Sequence, residues 1–417
     1  MNATQRLFVA SCLSIMVTSM IFSIRADILQ PVAADYGLNN ALIGLTMSSV
    51  FWGFTLGILV CGLIVDVVGM KRLHLLSGAG YLGGIALILL APVPAAANPA
   101  GGLFASTGST VLYLGFLLTG IAQGVVEGVT NPLVATLYRH DKRRMLHKLH
   151  AWWPCGLIVG GLVAWGMGQL GLGWQLRLLS VAVPVVAYLL LIAPLHYPPT
   201  ERVSASVSTG QMLAETRRPL FLLLFALMWL TAATELAPDQ WFAKIMADLL
   251  PALGSNTILF LVYTAGLMFV LRQYAAGWLF QRLSPYAILT GSALLSLAGL
   301  ATLGHLSADA AWAGSAALLG ATLFGVGKTF FWPTMLAITS EQFPRGGALL
   351  LNLMGGAGML SVMVALPVVG QMMDSSDTAT ALRQLSLLPA ILSVVFAVLW
   401  WRQRQRGGYA VQALPHD

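Results

Sequence analysis

Apolar runs at or beyond the length that crosses a hydrocarbon core of about 30 Å recur from the N-terminus almost to the end of this chain. That recurrence narrows the possible folds more than any other feature. Only 9% of the residues are charged and 58% are hydrophobic, whereas a soluble domain carries about 25% charged residues. A soluble fold of 417 residues would not stay dispersed with so little surface charge. In lipid every backbone polar group must be satisfied internally, so the expectation is an all-α integral membrane protein.

The runs are read as twelve helices at roughly 7–33, 40–67, 72–94, 108–138, 146–169, 174–195, 218–247, 255–282, 286–306, 310–339, 346–373 and 379–402. The least distinct boundary lies around Gly171–Gly173. The first run, from about Leu7 past Phe22, exceeds a signal-peptide h-region and no small-x-small site follows it, so it is read as a retained helix.

Basic residues set the orientation. Placing both ends in the cytoplasm puts Arg6, Lys71, Arg72, Arg139, Lys142, Arg143, Arg144, Lys148, Arg202, Arg217, Arg218, Arg282, Arg345, Arg402, Arg404 and Arg406 inside, sixteen of the 22 Lys and Arg. This positive-inside bias accounts for the net charge of +7 without nucleic acid. The expected location is a bacterial inner membrane. The stretch His196–Pro219 holds prolines, serines and acids and has no spanning run. The division read from it is an N-terminal six-helix bundle at 1–195, a cytoplasmic linker at 196–217, a C-terminal six-helix bundle at 218–404 and a cytoplasmic tail at 405–417.

A repeat supports two related halves. Gly124, Glu127 and Pro132 are spaced like Gly325, Lys328 and Pro333: glycine, a charge three residues on, proline eight residues on. Arg143, His150 and Gly156 continue in register with Arg345, Asn352 and Gly358. Secondary transporters are commonly built from such repeats.

Charge inside the spans marks candidate functional residues, since each ion at the bilayer centre costs roughly 2.5–3.5 kcal/mol on insertion scales. Helix 1 carries Arg25 and Asp27, helix 4 Glu127, helix 7 Glu235 and Asp239, and helix 10 Lys328; Arg272 adds a cation in helix 8. Gln123, Glu127 and Asn131, spaced i, i+4 and i+8, share one polar stripe. Gly120, Gly124 and Gly128 make a small-residue stripe beside it for close helix contact. Trp332, one turn after Lys328, is a candidate stacking surface for a solute, as is Trp241 near Asp239. Asn352 in helix 11 is a further polar candidate.

The link between helices 2 and 3 reads Gly62-Leu-Ile-Val-Asp66-Val-Val-Gly69-Met70-Lys71-Arg72. It resembles the loop signature of the major facilitator superfamily, with Val67 and Met70 where that family usually has basic residues. The resemblance implies two pseudo-symmetric six-helix bundles, a central cavity lined by helices 1, 4, 7 and 10, and a gating role for Gly62, Asp66, Gly69, Lys71 and Arg72. Arg25-Ala-Asp27-Ile-Leu-Gln-Pro31 and Glu127-Gly-Val-Thr-Asn131-Pro132 are similar to motifs of the fucose permease-like sugar:proton symporters. That likeness implies proton coupling at Asp27 and Glu127. Burial disfavours the charged form of a carboxylate, which suits a group that must gain and lose a proton.

The functional expectation is proton-coupled symport of a sugar or sugar-like polar solute by alternating access. Arg25, Gln123, Asn131, Glu235, Asp239, Lys328, Trp332 and Asn352 would shape the solute site. Because neutral sugars do not require Arg25 or Lys328, an organic anion or nucleoside-like solute is the alternative, and efflux is another. A non-transporting sensor or a lipid scramblase is the reading from a different class. No Walker-type G-x-x-x-x-G-K-[ST], HExxH or G-x-S-x-G occurs, and Cys12, Cys61 and Cys155 form no metal or redox spacing. The chain is therefore not expected to be an enzyme or to carry a cofactor or metal. Its expected partners are a small solute, protons and membrane lipid, and its expected working unit is a monomer driven by a proton gradient.

Overall fold

A computed structural model describes residues 1–94, 102–138, 145, 148–198, 209–306, 312–343 and 345–412. Arg139, Lys142, Arg143, Arg144 and Arg202 of the basic set lie outside the described residues, as do residues 199–208 of the linker, the end of the tail and the side chain of Asp66. Among the described residues twelve helices are long and apolar enough to cross a membrane. They are α1 (Ala3–Tyr36), α2 (Asn40–Val65), α3 (Met70–Leu90), α4 (Thr107–Val134), α5 (Lys148–Gln169) and α6 (Trp174–Ile192), then α7 (Pro219–Leu249), α8 (Ile258–Ala275), α9 (Pro285–Gly304), α10 (Ala313–Gln342), α11 (Leu349–Ser375) and α12 (Thr378–Gln405). Each expected run is present. The less distinct boundary between α5 and α6 is a tight turn in which Gly171 takes φ 70°.

Helix pairing repeats between the halves. In the first half α4 packs on α2 and α3, and α1 packs on α5 and α6. In the second, α10 packs on α8 and α9, and α7 on α11 and α12. Across the halves α2 lies along α11 and α5 along α8, the same pairing with the halves exchanged. An even number of spans brings both chain ends to one face, here called the terminal face.

The small-residue stripe of α4 does what its spacing implies. A Cβ on Gly124 would clash with the Phe54 carbonyl oxygen of α2, so only glycine admits this approach. Between α2 and α3 the chain turns at Gly69, whose φ of 90° disfavours any L side chain. Near the terminal face a buried His74 of α3 joins Ser14 of α1, at 2.7 Å, to the Tyr197 hydroxyl that follows α6, at 2.9 Å.

On the face away from the chain ends, contacts bridge the halves. A helix start leaves N–H groups without an intrahelical acceptor. In α2 the Asn39 side chain accepts from Leu42 N, while its carbonyl takes the first intrahelical bond from Ile43 N. The N–H groups of Asn40 and Ala41 are taken by Asp374 of α11: its carboxylate accepts from Asn40 N at 3.2 Å and from Ala41 N at 2.8 Å, and also from Asn40 Nδ2 at 2.8 Å. On the other side of the molecule Trp165 Nε1 of α5 donates to Asn256, between α7 and α8, at 2.9 Å.

A carboxylate at a helix N-terminus contributes about 1 kcal/mol. Replacing Asp374 with alanine is therefore expected to speed amide hydrogen exchange at Asn40 and Ala41 about fivefold, read by mass spectrometry of the protein in lipid. Unchanged exchange would show that this carboxylate does not protect these N–H groups.

Candidate solute site

In the second half the inward charges are paired. Lys328 of α10 is fully buried, and its Nζ lies 2.6 Å from both carboxylate oxygens of Asp239 on α7. Thr264 Oγ1 of α8 takes a third Nζ hydrogen at 3.2 Å, and the Phe324 ring centroid is 5.3 Å away. Every hydrogen of the ammonium group is therefore directed at an acceptor.

Arg272 meets Glu235 more loosely, with Nη2 3.7 Å from Oε1, while Glu235 Oε2 is buried without a partner among the described residues. A π-helical turn at Leu271–Ala275 carries Arg272. Its Nε donates to the Thr329 carbonyl at 3.0 Å. Sequence chemistry explains why that carbonyl is free. Pro333 has no N–H to donate to the residue four before it, so α10 breaks between Lys328 and Phe331.

The first half is arranged differently. Asp27 pairs with Arg177 of α6 at 2.7 Å, not with Arg25 two residues before it. The pair lines a cavity of about 180 Å³ with Gln30, Trp165, Lys244 and Thr257, between the halves and toward the face away from the chain ends. Glu127 has no cation within ion-pair distance among the described residues. Its Oε2 accepts from Asn131 Nδ2 at 3.0 Å, and Asn131 Oδ1 lies 3.0 Å from His150 Nε2.

Arg25 stands apart from every other inward cation. It is fully buried, and none of its three guanidinium nitrogens has a hydrogen-bond partner among the described residues. Its guanidinium carbon lies over two aromatic rings, 5.5 Å from the Phe22 centroid and 5.4 Å from the Phe51 centroid. Tyr81 of α3, bonded to Thr18 at 2.9 Å, lies within electrostatic reach of both Arg25 and Glu127. Among the described residues further buried polar atoms lack hydrogen-bond partners: Gln123 Nε2, Gln240 Oε1 and Trp241 Nε1. Gln240 Nε2 reaches the Phe22 carbonyl at 3.4 Å, which puts this part of α7 against α1 close to Arg25.

The remaining sequence candidates fall in three places. Trp332 packs against Gly355 and Gly358 of α11 and shares Met228 as a neighbour. Asn352 presents its amide nitrogen to Gly62, where α2 and α11 meet near the terminal face, away from the Lys328–Asp239 pair. In the loop signature Lys71 donates to the Ala193 carbonyl at the end of α6 at 2.8 Å, and Arg72 is exposed. Sequence reasoning did not single out Arg177, Tyr81, Thr264 or Gln240. Arg177 could have been found, because it lies inside an apolar run. No group of metal-ligating side chains occurs among the described residues.

Breaking a buried ion pair costs about 3–5 kcal/mol, whereas replacing both partners with apolar groups is often neutral. Lys328→Ala is thus expected to lower the thermal unfolding midpoint sharply, and Lys328→Met combined with Asp239→Leu to recover most of the loss. A double variant no more stable than Lys328→Ala would mean that the pair is not the source of the effect.

Comparison with known proteins fits this architecture. The Major Facilitator Superfamily model matches residues 7–323. The xylose transporter XylE from E. coli superposes with a TM-score of 0.76 at 12% identity, over 96% of this chain and 99% of its own. The nucleoside transporter NupG gives 0.70 at 15% identity, over 96% and 99%. At these identities the likeness concerns the fold alone. Among curated proteins, a voltage-gated purine nucleotide uniporter of Mus musculus is 29% identical over 147 residues, 34% of this chain and 30% of its own length. Sodium-dependent phosphate transport protein 1, chloroplastic, of Arabidopsis thaliana is 40% identical over 65 residues, 16% and 12% of the two chains. The chain spans less than a third of the length of either curated relative. The family model covers most of the chain, and the twelve helices pair as two related halves. On that ground the chain belongs to the Major Facilitator Superfamily of transporters.

Proposed function

We propose that this protein carries a small hydroxylated organic anion across the membrane by alternating access, with Glu127 as the group that takes up and releases a proton. The observation that carries this reading is Arg25, a fully buried guanidinium with no hydrogen-bond partner among the described residues. A guanidinium recognises a carboxylate or phosphate with two parallel hydrogen bonds. Phe22 and Phe51 leave it little else to bind. Gln123, Gln240 and Trp241 supply unpaired donors and an acceptor of the kind that hydroxyl groups satisfy. The names of both curated relatives refer to anions, a purine nucleotide and phosphate, which agrees in kind.

Glu127 suits the proton role because it is buried and, among the described residues, no cation pairs with it, unlike Asp27, Glu235 and Asp239. The halves at 1–195 and 218–404 would rock about the central polar residues, with both chain ends in the cytoplasm of a bacterial inner membrane, as the positive-inside bias suggests.

Neutral sugar:proton symport is the second reading. The Glu127–Asn131 bond favours it, since it links the two polar residues of the sugar-symporter motif. Under that reading Arg25 is a packing group, and Asp27 must leave Arg177 before it takes a proton.

A thermal-shift screen of purified protein against gluconate, the matching neutral hexose, a nucleoside and a nucleotide separates these readings, since a ligand that binds the folded state raises its stability by mass action. An anion should stabilise the wild type, and Arg25→Ala should weaken it about 10- to 100-fold, the worth of roughly 1.5–3 kcal/mol for hydrogen bonds to a charged group. Glu127→Gln in proteoliposomes should keep solute exchange and lose uphill uptake driven by a pH gradient. Stabilisation by the neutral hexose that survives Arg25→Ala would overturn the anion reading in favour of the second.

A further inference from the structure

His150, Asn131 and Glu127 form one hydrogen-bonded line, with both contacts at 3.0 Å. The chemistry of each group sets its direction. An ionised carboxylate only accepts, so Asn131 must turn its amino group toward Glu127. The Asn131 carbonyl oxygen then faces His150 and can only accept, so His150 must hold a proton on Nε2. With the amide reversed, its oxygen would meet the carboxylate lone pairs and repel them. The helix does not choose between the two orientations, because Asn131 and Glu127 are neighbours on α4 either way. The carboxylate makes that choice while it is ionised; once Glu127 is protonated and could itself donate, His150, at the start of α5, keeps the orientation.

We propose that His150 is a positioning residue for Glu127: it holds the Asn131 amide in the one orientation that donates to Oε2, and so leaves Oε1 as the oxygen that takes the proton. This rests on the reading of Glu127 as the proton-carrying group. It also ties the carboxylate to the packing of α4 against α5 near the terminal face, so that movement of α5 relative to α4 frees the Asn131 amide to turn.

Infrared difference spectroscopy of the protein in lipid, acid minus neutral, tests this without any solute. The Glu127 carboxyl stretch is identified as the band that Glu127→Gln removes. In His150→Ala this band should move to higher frequency, because its carbonyl loses a steady donor. It should return in His150→Gln, whose amide can donate at the same place. Asn131→Ala should move the band in the same direction, and adding His150→Ala or His150→Gln to it should move it no further, as expected of residues acting in series. A band that stays in place in His150→Ala, or that His150→Gln fails to restore, overturns the proposal. If His150→Ala does not fold, a further shift on adding His150→Gln to Asn131→Ala overturns it instead. A wild type with no band sensitive to Glu127→Gln overturns the proton-carrying reading itself and this inference with it, so the two failures are told apart.

Discussion

A charge carried into the membrane interior finds no bulk water, so it must meet an opposite charge, meet hydrogen-bonding groups or lose its ionisation. The inward-facing groups of this chain divide along that line. Asp27 meets Arg177, Glu235 meets Arg272 and Asp239 meets Lys328. Arg25 and Glu127 remain, one of each sign, both buried and neither in an ion pair among the described residues. The second half is thus balanced within itself, while the first half keeps two groups that no opposite charge meets among the described residues. The distinction between the halves in the proposed cycle follows from this imbalance.

Much of that inventory is readable from the sequence, because helical periodicity and length are local properties. The twelve spans, the glycine stripe of α4 and the placement of charge on helices 1, 4, 7 and 10 follow from residue spacing. Arg25 and Asp27, two positions apart, cannot share a helix face, and they part as expected. The partners are a different matter. Weighing four acids against Arg25 and Lys328 alone suggests that the acids are short of cations. Arg177 and Arg272 restore the balance, yet whether they point inward depends on helix rotation and on a π-turn that tertiary packing decides. Asn352 illustrates the opposite error, since its repeat position was legible but its neighbour, Gly62, was not.

The repeat is most instructive where it fails. Glu127 and Lys328 occupy corresponding positions, and so do Asn131 and Trp332. In α4 the residue before the proline bonds to the acid. In α10 it is an indole packed on α11, the base turns to α7, and the carbonyl freed by Pro333 is bound by Arg272. A common backbone plan therefore supports an adaptable hydrogen-bonded line on one side and a fixed ionic cluster on the other.

The cap that Asp374 places on α2 has a consequence for how the protein responds to its surroundings. In the proposed cycle, parting of the halves on that face would leave the N–H groups of Asn40 and Ala41, and the Asp374 carboxylate that they bond, to water. Opening is then a hydration reaction that consumes solvent molecules. Solutes excluded from protein surfaces oppose such a step. The balance between the two faces of the transporter would accordingly follow the osmotic strength of the compartment that α2 faces, independently of any gradient of the transported solute.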